Sequence, residues 1–539
     1  MRREVDWRWC CVSVAIVMRE LISSPHRHQL GLAMAGWLFL SANLVLAGEA
    51  APEALGLVEV PLEQELGALL DDPALEGAVV SARVESLASG RTLFERNPDQ
   101  LVNPASVTKM FTTAAALCLL HPEYRFRTEV LSRQRIERGV LKGPLWVRGG
   151  GDPSLVSERM TYLVQELYAL GLRKVEGSII LDDSAILEER PPGFSQDPSS
   201  DPYQAPPGAL GFNFNSVSVL VYPGERVGEK PRLELLPPSE AFEIDSSVQT
   251  VRRGTRVRAR VSPAARKTKI TIKGKIGEAH PGLRLMVRVE NPTFYFGQTL
   301  LSEMKLRGIQ VRGDVRRGKA PEDLEPLLVF TSPELAELIR TINKRSQNFM
   351  AEQLYLAIGA EVLGAPASYG RGERVMRAFL EEEVGLAPGS YVLHNGSGLN
   401  DTNRVTATQV VQLLRYMASR VDLRPDFEAS LAIGGADGTV AGRFTDPAVA
   451  RTLRVKTGSL QNVRSLAGYA VTRSGETLAF ALLISRFGCS SAEVLSILDR
   501  FGAALSLSNA GGCVVRSARI PVGSDPGEDA AVDERSARP

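Results

Sequence analysis

The spacing of hydrophobic and polar positions changes several times along the chain, and each change marks an element. Residues 78–87 and 91–95 carry strand patterns on either side of Ala88-Ser89-Gly90, which predicts a hairpin. From 103 to 120 the apolar positions Met110, Phe111, Ala114, Leu117 and Cys118 take up helical spacing, with Pro104 close to the start. Ser332-Pro333 predicts another helix start, a capping serine followed by proline at the first helical position, with Leu335, Leu338, Ile339 and Ile342 as its apolar stripe. Near the end, residues 466–471 and 477–485 read as buried strands, followed by an amphipathic helix from 490 to about 505.

Two segments fall outside this alternation. Residues 30–47 (LGLAMAGWLFLSANLVLA) carry no charge, follow Arg27, and end in the small-residue exit Val45-Leu46-Ala47. This predicts a signal peptide over 1–47, cleaved after Ala47, and hence a periplasmic or otherwise extracytoplasmic protein; an uncleaved N-terminal anchor is the alternative. Residues 517–539 are polar without apolar periodicity and read as a disordered tail.

The middle of the chain has a different texture. Residues 122–328 are rich in short strand patterns, Gly and Pro, and the 190–207 loop (RPPGFSQDPSSDPYQAPP) excludes regular structure. Apolar residues recur throughout, which predicts an inserted β-rich region rather than a linker. Within it, residues 252–275 hold ten Lys and Arg and no acid. Alternation puts Arg256, Arg258 and Arg260 on one strand face, read as a solvated edge or, alternatively, a contact for an anionic polymer.

Composition narrows the function. The chain has 539 residues, 44% hydrophobic and 23% charged, an ordinary globular balance long enough for several compact units. Lys plus Arg number 63 against 62 Asp plus Glu, so no global field recruits nucleic acid, and none is expected as a partner. Five Cys and five His show no zinc-ligand spacing, so no metal site is expected. Cys10 and Cys11 precede the predicted cleavage point; Cys489 and Cys513 could pair in an oxidising compartment or remain free thiols.

The chemistry lies in three short motifs. Ser106-Val107-Thr108-Lys109 places a serine and a lysine one helical turn apart, so the amine can reach the hydroxyl. A second such pair, Ser302-Glu303-Met304-Lys305, lacks downstream partners in the right order and reads as part of a structural helix over 298–306. The first pair is followed by Ser346-Gln347-Asn348 and then by Lys456-Thr457-Gly458-Ser459 on a strand, the order found in penicillin-binding proteins and serine β-lactamases. In acyl transfer, Ser106 attacks a carbonyl and Lys109 takes its proton. Ser346 relays protons between Lys109, Lys456 and the leaving group, and Asn348 offers an amide to the substrate backbone. The Ser106 and Ser459 backbone N–H groups are the expected oxyanion hole. Lys456 with the Thr457 and Ser459 hydroxyls can meet a terminal carboxylate, while Gly458 leaves bare backbone beside them. No GxSxG elbow supports a Ser-His-Asp hydrolase, and no Glu-x-x-x-Asn element after the second motif supports a β-lactamase.

These residues name a family. The chain resembles the class C low-molecular-mass penicillin-binding proteins, the D-alanyl-D-alanine carboxypeptidase/endopeptidases of peptidase family S13. The resemblance runs from about Val79 to Gly488, through Phe94-Glu95-Arg96-Asn97-Pro98, Gly149-Gly150-Gly151-Asp152-Pro153, Leu181-Asp182-Asp183-Ser184, Phe212-Asn213-Phe214-Asn215, Asn395-Gly396-Ser397-Gly398-Leu399 and Gly434-Gly435-Ala436-Asp437-Gly438-Thr439. Gln347 and Asn395 depart from the residues usual at their positions. The resemblance implies an α/β (α+β) transpeptidase-like catalytic domain in two parts, 53–121 and 329–516, interrupted by two smaller β-rich domains over 122–328. It implies a serine DD-peptidase acting on peptidoglycan stem peptides through a Ser106 acyl-enzyme, acylated by β-lactams and needing no cofactor. A non-catalytic cell-wall or β-lactam sensor using the same pocket is the alternative, and the oligomeric state is left open.

Overall fold

The structure, a computed structural model, describes residues 58–187, 189–194, 200–509 and 513–516. The predicted leader, with Cys10 and Cys11, and the predicted tail lie outside the described residues. Among the described residues no helix is long and apolar enough to cross a membrane.

A six-stranded antiparallel sheet draws on both ends of the chain. Its order is Ala432–Ile433, Leu453–Leu460, Val463–Val471, Thr477–Ser485, Val79–Ser86 and Thr92–Arg96. The last two are the predicted N-terminal hairpin, and the strand Val79–Ser86 pairs with Thr477–Ser485 from Val79↔Ser485 to Ser86↔Leu478. Because side chains alternate between faces, these strands sort their residues into two cores. Ala467, Tyr469, Ala479, Ala481 and Leu483 join the core built with the helices Thr108–Leu120, Asn348–Leu363 and Ala407–Ser419. Leu466, Leu478, Phe480, Leu482 and Ile484 face the opposite core, with the helices Leu62–Leu70 and Ser491–Leu507. Both faces are covered, which is why the strands read as continuous apolar runs.

The middle of the chain holds further sheets. Five strands, ordered Val315–Arg317, Ile179–Asp182, Leu145–Gly149, Arg127–Ser132 and Glu325–Thr331, form a mixed sheet. Between residues 216 and 288 lie a three-stranded antiparallel sheet and a four-stranded one centred on Lys267–Gly277. The region also contains two full helices, Ser157–Ala169 and Pro292–Leu306. The first went unpredicted although Met160, Leu163, Val164 and Leu167 mark a buried stripe at helical spacing. The Gly149-Gly150-Gly151 run lies where the strand Leu145–Gly149 ends. A Cβ on Gly149 would stand 2.2 Å from Ala209 O and one on Gly150 2.4 Å from Arg127 O, so neither position admits a side chain.

One capping expectation is corrected. The helix after Ser332 begins at Leu335, with Glu334 at the cap position and no side-chain cap. Ser332 is occupied elsewhere: its Oγ accepts from Phe126 N at 3.0 Å while its own N donates to Phe126 O at 2.9 Å, extending the Arg127–Ser132/Glu325–Thr331 strand pair. The predicted stripe Leu335, Leu338, Ile339 and Ile342 is buried. Cys118, Cys489 and Cys513 are free thiols, so the Cys489–Cys513 bridge allowed by sequence is not present.

The amphipathic helix expected from 490 to about 505 is Ser491–Leu507, and a capping box starts it. Ser490 Oγ accepts from Glu493 N at 3.3 Å and Glu493 Oε2 accepts from Ser490 N at 2.8 Å. Ser490→Ala is expected to lower stability by about 1 kcal/mol, read as a lower urea midpoint with unchanged slope.

Candidate active site

The turn that carries Ser106 is strained and clamped. Residues Ala105–Val107 make a 3₁₀ turn that runs directly into the Thr108–Leu120 helix. Ala105 has φ +47°, a conformation that costs free energy for a residue with a Cβ. Two partners hold it there. Asn103 Oδ1 accepts from Ala105 N at 2.8 Å, and Gly398, itself at φ +74°, lies so close that a Cβ there would stand 1.9 Å from Ala105 O.

Lys109, fully buried, is the second residue of the helix, one turn after Ser106. Its Nζ is 2.9 Å from Ser106 Oγ, 2.7 Å from Asn348 Oδ1 and 2.7 Å from Ser397 O. Asn348 Oδ1 and Ser397 O are carbonyl oxygens and can only accept. A neutral amine has two hydrogens and one lone pair, so these two acceptors take both hydrogens and leave the lone pair for the Ser106 hydroxyl. Burial pushes the Lys109 ammonium well below its ordinary pKa, the positive charge of Lys456 pushes the same way, and the Glu352 carboxylate opposes them.

The other two motifs close the site. Ser346 occupies the junction between the helices Leu335–Lys344 and Asn348–Leu363 at φ +56°. Lys456, on the strand Leu453–Leu460, donates to Ser346 Oγ at 2.9 Å and to Thr457 O at 2.8 Å. Lys456 is fully buried, and burial lowers its pKa to about 7. Gly458 faces the Ser106 turn, where a Cβ would stand 2.7 Å from Pro104 O. Strand alternation puts Thr457 and Ser459 on the other side; Thr457 Oγ1 donates to Thr439 Oγ1 at 2.8 Å, and Ser459 is exposed. The strand Ala432–Ile433 pairs only with Val455 and Arg454, so among the described residues no strand covers this edge from Lys456 onward.

All eight residues singled out in the sequence therefore fall in one region, with one change of partner. Asn348 Oδ1 is committed to Lys109, and its Nδ2 donates to Tyr203 O at 3.4 Å. Ser302, set aside in the sequence, bonds Gln298 O on its own helix at 2.9 Å.

Comparison with known proteins decides the family. Residues 62–502 match the D-Ala-D-Ala carboxypeptidase 3 (S13) family. The chain belongs to this family. It is 30% identical over 485 residues to the D-alanyl-D-alanine carboxypeptidase of Actinomadura sp. strain R39, covering 87% of this chain and 88% of that one. It is 26% identical over 422 residues to the D-alanyl-D-alanine carboxypeptidase DacB of Haemophilus influenzae, covering 78% and 88%. In structure it is similar to penicillin-binding protein 4 (dacB) from Haemophilus influenzae, with a TM-score of 0.72 at 24% identity over 81% of this chain and 97% of that one. The same protein complexed with a β-lactam superposes with a TM-score of 0.68 at 25% identity, over 81% and 98%. The S13 chain is thus a D-Ala-D-Ala carboxypeptidase-type enzyme with the α/β transpeptidase-like fold expected from its sequence.

Several residues of this S13 site were not singled out from sequence. Glu352, one turn after Asn348 and fully buried, accepts from Gly396 N at 3.1 Å and Ser397 N at 2.9 Å, which aims the Ser397 carbonyl at Lys109. Desolvation pushes its pKa up, while the hydrogen bonds from residues 396 and 397 and the nearby Lys109 push it down. Its signal was an acid in a helix otherwise buried from Phe349 to Gly359. Asn395, one of the two departures, uses both ends of its amide: Nδ2 donates to Pro192 O, Leu399 O and Thr402 Oγ1, and Oδ1 accepts from Gly398 N. A carboxylate has no hydrogen to offer the Pro192 and Leu399 carbonyls. Lys344 Nζ, 2.6 Å from Asp437 Oδ2, ties the Ser346 junction to the Gly434–Thr439 loop.

Gly398→Ala is expected to displace the Ser106 turn, because its methyl has no space beside Ala105 O and Thr108 Oγ1. The acylation rate by penicillin should fall by about 100-fold, with the melting temperature measured alongside to separate turn displacement from unfolding.

Proposed function

We propose that this S13 enzyme is a serine DD-peptidase that cleaves D-alanyl-D-alanine bonds of peptidoglycan stem peptides through a Ser106 acyl-enzyme. The observation that carries the reading is the placement of Lys109, buried with its Nζ 2.9 Å from Ser106 Oγ and held by the Asn348 and Ser397 carbonyl oxygens at 2.7 Å. An ordinary lysine near neutral pH is only about a thousandth neutral; burial and the charge of Lys456 shift Lys109 toward the neutral amine.

In acylation, Ser106 Oγ attacks the carbonyl of the penultimate D-alanine and its proton passes to Lys109. The tetrahedral oxyanion is met by the backbone N–H groups of Ser106 and Ser459, each such donor typically contributing about 3 kcal/mol. The C–N bond breaks as the departing D-alanine nitrogen receives a proton through Ser346, which Lys456 supports at 2.9 Å. The proton delivered is the one Lys109 took from Ser106, so Lys109 is neutral again when water attacks the ester carbonyl; it takes the water's proton and returns it to Ser106 Oγ as the C–O bond breaks. The open edge of the Lys456-Thr457-Gly458-Ser459 strand suits an extended peptide, with its terminal carboxylate met by Lys456 and the Thr457 and Ser459 hydroxyls. Asn348 both orients Lys109 and presents its amide beside the substrate path.

Cleavage of cross-links between stems uses the same steps with a longer leaving group. β-Lactams acylate the same serine, in keeping with the β-lactam complex of the Haemophilus influenzae relative. The domain reading goes with this: 53–121 and 329–516 make the catalytic part, 122–328 the insertion, 1–47 an export signal to an extracytoplasmic compartment, and 517–539 a tail.

Intact mass measurement after incubation with penicillin is expected to show one covalent adduct that is absent in Ser106→Ala, and diacyl-D-Ala-D-Ala should release D-alanine only with the parent protein. An adduct without D-alanine release would favour a sensor; no adduct on folded protein would remove Ser106 as nucleophile.

A pH profile tests Lys456. With its pKa lowered to about 7, the ammonium is present below that pH and lost above it. The kcat/KM for a peptide ending in a free carboxylate should therefore fall on an alkaline limb near pH 7. The limb in kcat should lie higher, because bound carboxylate favours the ammonium. A kcat/KM that climbs steadily to pH 9 would show that the charge of Lys456 is not used.

A further inference from the structure

The four-stranded sheet of the insertion carries an arrangement that stability alone does not favour. The edge strand Arg256–Ala264 pairs antiparallel with Lys267–Gly277, in a register that sets Arg256 opposite Lys275 and Arg258 opposite Lys273. All four side chains are exposed, as is Arg260, next along the same face. Like charges directly opposite on a sheet destabilise it. No ion pair joins any of these five to an acid among the described residues, whereas Lys269, further along, stands 3.8 Å from Asp245. Val257, Ala259 and Val261, on the other face, pack against the core, so the strand is anchored on one side and holds its cations in fixed rows on the other. Cations two residues apart on a strand are about 6.6 Å apart.

The ladder is also connected to the active site. Val261 N donates to Ser200 Oγ at 2.9 Å, and three residues on, the carbonyl of Tyr203 accepts from Asn348 Nδ2. Arg260 is therefore the end of the ladder nearest the catalytic rim, and Arg256 the far end. An edge that needed only protection from pairing could use mixed charges. Two facing rows of one sign instead match a ligand that carries repeated negative charge.

We propose that Arg256, Arg258, Arg260, Lys273 and Lys275 form a docking ladder for the anionic glycopeptide polymer itself, binding carboxylates of stems beyond the one being cut. This rests on the peptidoglycan reading above. Docking at the ladder raises the local concentration of substrate stems near Ser106 and leaves the chemistry of a small peptide untouched.

The test compares the parent protein with Arg256→Gln/Arg258→Gln/Lys273→Gln on two substrates, insoluble peptidoglycan freed of phosphate polymers and soluble diacyl-D-Ala-D-Ala. Co-sedimentation with the polymer at low salt should weaken by about tenfold, as expected from losing three exposed charge contacts, and D-alanine release from the polymer should fall with it. Turnover of the soluble peptide and penicillin acylation should stay at the parent level, and the melting temperature should hold or rise as like-charge repulsion is relieved. Raising the salt should bring the parent's polymer binding down to the variant's. Equal polymer binding by parent and variant, or a lowered melting temperature with no selective loss on the polymer, would overturn the ladder. If the parent fails to turn over the soluble peptide, the peptidase reading fails instead, and the sedimentation comparison still decides the ladder. Preferential binding of an added phosphate polymer over phosphate-free peptidoglycan would overturn the choice of ligand.

Discussion

The site depends on a buried lysine nitrogen held by three hydrogen-bond partners. Lys109 meets Ser106, Asn348 and Ser397 within hydrogen-bond distance, and two of those three can only accept. Burial makes the neutral form accessible, and the acceptor geometry orients it. Neither effect alone would produce a base: an amine buried without acceptors leaves polar hydrogens unsatisfied, and an exposed one stays protonated.

Much of the surrounding structure holds those acceptors in place. Glu352 fixes the backbone on either side of the Gly396–Ser397 peptide, Asn395 ties the same loop down through its amide, and Gly398 presses on the turn that carries Ser106. Positive φ at Ala105 and Ser346 shows where strain is tolerated: Ala105 precedes Ser106, and Ser346 itself accepts from Lys456. The strand carrying Lys456 supplies the opposite wall, and its glycine permits an approach to Pro104 that any side chain would block.

The middle of the chain also reaches the site. Its 202–204 turn reaches Asn348, and its 200–261 contact joins that turn to a strand crowded with arginine. The open strand edge and this surface are thus joined through residues 200–203.

Much of this was legible in the sequence because local spacing sets local geometry. Ser106 and Lys109 had to share a helix face, Lys456 and Gly458 had to share a strand face, and Arg256, Arg258 and Arg260 had to point one way, since periods of 3.6 and 2 follow from the backbone alone. The apolar runs at 466–471 and 477–485 likewise announced strands covered on both faces. Ser332 misled, because a serine before a proline looks the same whether it caps a helix or closes a strand pair, and its partner Phe126 lies some 200 residues away. Glu352, Ser397 and Tyr203 stayed unread for the same reason. What they do is defined by which distant atoms they meet, and only tertiary packing brings a loop carbonyl at 397 and an amide at 348 to the nitrogen of a lysine at 109.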